Sequence, residues 1–154
     1  MKKTIIIFFL LTSICCAEEY CFDTAGDLYG IPPELLEAIS YTESKNVADA
    51  FNENNNGTID YGHMQINSFW IKELGWSYAA LDVPCFCTLI GARILAKCII
   101  KNGYNYDALS CYRSGKPLHN LSPETRDDVE KYIERVEKRF KELPENKILA
   151  IKSD

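Results

Sequence analysis

The sequence predicts a mainly α domain, or α+β if one small irregular hairpin is counted. Three observations point there. Apolar residues recur at helical spacing in two stretches, Leu35-Leu36-Ile39 and Val129-Tyr132-Ile133-Val136-Phe140. Prolines and glycines stand where helices would start and stop: Pro32-Pro33, Pro84 with Gly103, and Ser122-Pro123. Between them lies one polar run, residues 52–60 (NENNNGTID), that cannot continue a helix.

The elements follow in order. Lys2 and Lys3 precede an apolar run from Thr4 to Ile14, and Cys15-Cys16-Ala17 then places small residues before Glu18. This is the pattern of a secretory signal peptide, expected to occupy residues 1–17 and to be cleaved after Ala17. The run is short for a membrane span, which needs roughly 20 residues. A first helix is expected from Asp23 or Thr24, a capping pair, to Gly30. Pro32-Pro33 opens a second, on which Leu35, Leu36, Ile39 and Glu43 share one face. Asn55, Asn56 and Gly57 tolerate positive φ and mark a tight turn, with a hairpin or extended segment over 58–67. A further helix is expected near Phe69–Leu74. Pro84 starts a long helix that Gly103 ends; it is apolar on most sides, as a buried central helix is, apart from Arg93, Lys97 and Lys101. Asn105 caps a helix ending near Tyr112, and Arg113–Pro117 reads as a loop. The last, amphipathic helix starts at Ser122-Pro123. Residues 144–154 read as a flexible C-terminal tail.

Composition excludes several function classes. The chain has 154 residues, 17 Lys+Arg against 22 Asp+Glu, and a net charge of −5. Loss of residues 1–17, which carry two lysines and no acid, would leave −7. That argues against nucleic acid and anionic lipid as partners. Five cysteines remain beyond the signal: Cys21, Cys85, Cys87, Cys98 and Cys111. An exported protein can form disulfides, and five allow at most two. Their spacing matches no common zinc pattern, so no metal is expected.

Glu43 is the informative anomaly. Helix-end glutamates are usually solvated, but this one shares the face of Leu35 and Ile39. A carboxyl held among apolar groups keeps its proton to higher pH and can donate it to a glycosidic oxygen.

Three ordered motifs extend this reading: Glu43-Ser44 at a helix end, Tyr61-Gly62-His63-Met64-Gln65-Ile66-Asn67 after the Asn-rich turn, and Cys111-Tyr112-Arg113-Ser114-Gly115. Together they resemble the soluble lytic transglycosylase (SLT) family, with the likeness running from about Cys21 to Phe140. The resemblance implies a goose-type-lysozyme-like fold over residues 18–143 and cleavage of peptidoglycan. The chain is most similar to small exported members associated with type III or type IV secretion or conjugation systems. By that likeness Glu43 would be the single catalytic acid/base and Ser44 a hydrogen-bonding support. Met64 and Gln65 would line the sugar cleft, Tyr112 would lie beside the glutamate and the sugar, and Tyr132 would help to position the acid. No cofactor is expected. The family's similar small members carry cysteines at positions like Cys21 and Cys85, which implies a bridge between them. Cys87 and Cys98, about 16 Å apart along one helix, cannot pair with each other. Cys98 with Cys111, across the Gly103 turn, is the favoured second bridge.

Two positions depart from the family pattern. The third motif usually reads Ala-Tyr-Asn-x-Gly, and Arg113 stands in place of the Asn. An amide both donates and accepts, whereas a guanidinium only donates. Arg113 could pair with Glu43 and lower its pKa, or grip a substrate carboxylate. His63 stands where small or apolar residues are usual and is expected in the cleft or at the surface. The expected function is a periplasmic peptidoglycan lytic transglycosylase, a polysaccharide lyase that breaks the MurNAc-GlcNAc β-1,4 bond with formation of 1,6-anhydro-MurNAc. It would open the wall locally for a secretion or conjugation apparatus. The alternatives are a hydrolytic lysozyme and, because of Arg113, a catalytically weak glycan-binding module.

Overall fold

The computed structural model describes residues 19–143, so the expected signal segment and tail lie outside the described residues. The elements are α1 (Phe22–Tyr29), α2 (Pro33–Ser44), β1 (Phe51–Glu53), β2 (Ile59–Tyr61), β3 (Ile66–Asn67), α3 (Ile71–Leu74), α4 (Pro84–Asn102), α5 (Tyr106–Ser114) and α6 (Pro123–Glu142). Short 3-10 turns occupy Ser68–Trp70, Gly75–Ala80 and Leu118–Asn120. The fold is mainly α, with one small sheet.

α4 is the central helix. Ile90, Ile94 and Leu95 are buried along it, with Cys87, Thr88, Gly91 and Ala92. α2 adds Leu35, Leu36, Ala38 and Ile39 to the same core, and α6 adds Val129, Tyr132, Ile133 and Val136. Phe140, expected on the buried face of α6, is only half buried, packed against the edge of the core. The polar stripe of α4 reaches solvent beside α3, where Arg93 and Lys97 both pair with Glu73. No helix among the described residues is long and apolar enough to cross a membrane.

The sheet is antiparallel in the order β1-β2-β3. Its hairpin begins before the segment the sequence suggests, pairing Phe51 with Tyr61 across the Asn-rich turn. That turn is closed by its own side chains and backbone. Asn54 N–H donates to Thr58 O at 2.8 Å, and Gly57 N–H donates to Asn54 O at 2.9 Å. β3 then adds to β2, with Asp60 opposite Asn67.

Three local details differ from the sequence reading. α1 starts one residue earlier than expected, at Phe22, and its N-cap position is Cys21 at φ 45°, a cysteine tied by a disulfide to Cys85. The 3-10 turn at 75–80 carries no periodic signal. α5 runs on through Ser114, so Arg113 is helical rather than in a loop. Asn105 does cap α5, its side chain accepting from Asp107 and Ala108 N–H.

Two disulfides fasten the helices. Cys21–Cys85 joins the start of α1 to the start of α4, with Cα atoms 5.0 Å apart. Cys98–Cys111 joins α4 to α5 at 5.7 Å. Cys87 is a buried free thiol whose pKa burial pushes up to about 12, so it is an inert core group.

Candidate active site

α2 ends at Ser44, and its last turn delivers Glu43 to the floor of a cleft of about 1350 Å³. The cleft is walled by the Asn-rich turn, β2 and β3 on one side, and by α5 and α6 on the other. The Glu43 side chain is 7% exposed. Burial raises its pKa from 4.5 to about 7, against the opposing pull of Arg113 and of the Tyr132 hydroxyl. Near neutral pH, then, much of Glu43 holds a proton.

Tyr132 reaches this point from α6 because α2 and α6 pack side by side, joined at Glu37–Arg139 (3.2 Å). Its hydroxyl is buried beside the carboxyl but falls short of a closed hydrogen bond. Arg113 arrives from α5. Its Nη1 lies 3.4 Å from Glu43 Oε2 and its guanidinium 5.6 Å from the centre of the Tyr132 ring. Tyr112, the preceding residue, lines the cleft and donates its hydroxyl to Met64 O at 2.8 Å.

The central motif is a tight crossing of backbone. Gly62 has φ +76°, and a Cβ there would sit 2.3 Å from Leu81 O and 2.6 Å from Cys87 Sγ, so only glycine fits. Gln65 follows at φ 48°. Its side-chain amide donates to Gly62 O (3.0 Å) and Ala50 O (3.2 Å), leaving the amide oxygen available at the cleft wall. Ser44 donates to His63 O at 2.9 Å and so ties the glutamate's helix to the turn between β2 and β3.

Two residues lie elsewhere than expected. Met64 does not line the cleft: it is fully buried, packed against Gly91 of α4, and only its carbonyl takes part in the site through Tyr112. The chain bends sharply here, with Gln65 at φ 48°, so that Met64 lies in the core while Gln65 reaches the cleft. His63 is neither in the cleft nor at the surface but fully buried. Its Nε2 lies 2.9 Å from Pro84 O, a group that only accepts, so Nε2 carries the proton, and its Nδ1 lies 2.7 Å from Ser40 Oγ, whose hydroxyl also reaches Asn46 Oδ1 at 2.6 Å. Burial lowers its pKa, so the ring is neutral and braces α2 against α4.

Other cleft residues carried weaker sequence signals. Asp60 is held by Asn54 Nδ2 (2.9 Å) and Asn67 Nδ2 (2.7 Å), which makes it the clasp of the hairpin. Phe69 and Trp70, in T-shaped contact, lie on the cleft rim. Arg135 also lines the cleft. Its position three residues after Tyr132 on α6 was the available signal. Among the described residues, no group of three or more His, Cys, Asp or Glu side chains is placed to hold a metal.

Comparison with known proteins agrees with this geometry. Residues 20–143 match the family described as the transglycosylase SLT domain. Protein IpgF of Shigella flexneri is 36% identical over 124 residues, covering 78% of each chain. Invasion protein IagB of Salmonella typhimurium is 33% identical over 147 residues, covering 93% of this chain and 89% of its own. A solved lytic transglycosylase Slt of Pseudomonas aeruginosa, an inactive mutant, superimposes with a TM-score of 0.59 at 20% identity. It covers 82% of this chain but only 24% of that longer protein, and at this identity the likeness is one of fold. The chain belongs to the transglycosylase SLT domain family and is a peptidoglycan lytic transglycosylase.

Proposed function

We propose that Glu43 serves as the only acid/base of a non-hydrolytic cleavage of the β-1,4 bond between N-acetylmuramic acid and N-acetylglucosamine. The observation that carries this is a buried carboxyl, proton-holding near pH 7, at the floor of an open cleft. Protonated Glu43 gives its proton to the glycosidic oxygen as the bond from that oxygen to C1 breaks. The N-acetyl oxygen of the same sugar stabilises the cation at C1. Glu43, now ionised, takes the proton of the C6 hydroxyl, and O6 closes onto C1. The product is the 1,6-anhydro sugar, and the glutamate ends in the state in which it began.

Most glycosidases need a second carboxylate to activate water or to attack C1. The nearest acid here, Asp60, is engaged by two side-chain amides, which supports a route without one. Gln65 offers a carbonyl to the glycan, Phe69 and Trp70 offer apolar faces to the sugar rings, and Tyr112 and Tyr132 fix the space around the acid. In this reading Ser44 and the Met64 carbonyl are supports behind the wall. A glycan-binding module without catalysis is less well supported, because burial outweighs Arg113 and still leaves the pKa of Glu43 raised.

The domain is proposed to work in the periplasm after removal of residues 1–17, opening the wall locally for a secretion or conjugation apparatus. The support for that role is the likeness to a protein named for invasion. Mass spectrometry of digested peptidoglycan tests the chemistry. Anhydro-muropeptides are expected from wild type and none from Glu43→Gln; hydrated products alone would assign a muramidase instead.

A further inference from the structure

We propose that Arg113 is a specificity-determining residue that reads a carboxylate on the substrate, either the lactyl carboxylate of the muramyl sugar or a carboxylate of the peptide attached to it. This rests on the cleavage reaction proposed above.

The first ground is the geometry of Arg113 in the unliganded cleft. A settled guanidinium–carboxylate pair closes to roughly 2.7–2.9 Å and often uses two parallel hydrogen bonds. Arg113 makes a single contact to Glu43 at 3.4 Å, and its other N–H donors make no hydrogen bond among the described residues. Its side chain is 46% exposed while its partner is 7% exposed. The fork therefore rests on Glu43 with most of its donors facing the cleft.

The second ground is chemical. Catalysis needs Glu43 protonated, and a neutral carboxylic acid is a poor partner for a guanidinium. The state of the glutamate that reacts is thus the state that leaves Arg113 free for another anion. Asp60, the other acid close enough to influence Glu43, is already held by two amides and does not compete.

The third ground is the surrounding charge. The chain is net negative, yet Arg135 and Lys101 also line this cleft, and neither has a carboxylate within 4.0 Å among the described residues. An asparagine at position 113 could bond a sugar but could not discriminate by charge. An arginine presents a planar fork matched to carboxylate.

The test uses one glycan strand in four forms. Peptide-bearing strands and amidase-stripped strands are each compared with the same material after carbodiimide amidation of their carboxyl groups. Wild type should lose roughly tenfold or more in kcat/KM on amidation of the form that carries the recognised group. Sensitivity in the stripped form identifies the lactyl carboxylate; sensitivity in the peptide-bearing form alone identifies the stem peptide. Arg113→Asn should level the difference, and Arg113→Lys should keep part of it. Wild type that cleaves all four forms equally overturns the proposal while anhydro products leave the reaction standing. So does an Arg113→Asn variant that keeps the full preference. Absence of cleavage of every form removes the reaction and this proposal with it.

Discussion

Replacing Glu43 with glutamine keeps the shape of a protonated carboxyl and removes its titration. In the wild type, burial raises the pKa from 4.5 to about 7. Between those values the folded protein binds a proton that the unfolded chain has released, so this residue makes stability fall as pH rises from 4.5 to 7. Below pH 4.5 both states are protonated and the residue is neutral in the balance; above 7 its full cost is present. At about 1.4 kcal/mol per pH unit, that cost is about 3 kcal/mol. Glutamine incurs none of it. Relative to wild type, Glu43→Gln should therefore gain about 3 kcal/mol of stability between pH 4 and pH 8.5. Urea unfolding with both disulfides intact measures this, and the relative midpoint shift should be on the order of 1–3 M. Every other titrating group is common to the two proteins and cancels. A difference that stays flat with pH, or changes in the opposite direction, would refute the reasoning that apolar burial governs this carboxyl.

Three further outcomes follow from the same geometry. The kcat/KM for strand cleavage should decline as pH rises through about 7, because the proton donor is being lost; a level profile to pH 9 would contradict Glu43 as the acid. Arg113→Ala removes a cation that lowers the pKa of Glu43, so the alkaline limb should move to higher pH, and an unmoved limb would show that the pair does not form in solution. Gly62→Ala should destabilise the fold by about 3 kcal/mol or more, since its Cβ meets backbone at 2.3 Å in a left-handed conformation; a thermal melt showing under about 1 kcal/mol would mean the loop can yield.

Periodicity and punctuation made most of the fold legible. Pro84 and Gly103 bound α4, and the spacing from Val129 to Val136 marked the face of α6 that is buried. The glutamate was legible as a polar residue on an apolar stripe. What the sequence hid was direction. Gly62-His63-Met64-Gln65 bends sharply, and no periodic rule says which of its side chains points inward there. So Met64 was expected at the cleft and His63 at the cleft or the surface, and both lie in the core. The buried partners of His63 were equally hidden, because Ser40 and Pro84 come together only when α2, the loop and α4 are assembled. Arg113 was expected at the start of a loop running to Pro117. The helix instead continues to Ser114, and that last turn aims the guanidinium at Glu43.

The two thiol positions at the head of α4 bear on how the protein matures. Cys85 and Cys87 are two residues apart, which on a helix turns their side chains by about 200°. Cys85 faces the incoming start of α1, while Cys87 faces inward beneath Gly62. In a floppy precursor either sulfur could capture Cys21. On the wound helix only Cys85 faces Cys21, so the helical geometry is compatible with one cross-link and not the other. In the finished fold the choice is one of shape, since the odd sulfur is shut inside the core, out of reach of any disulfide.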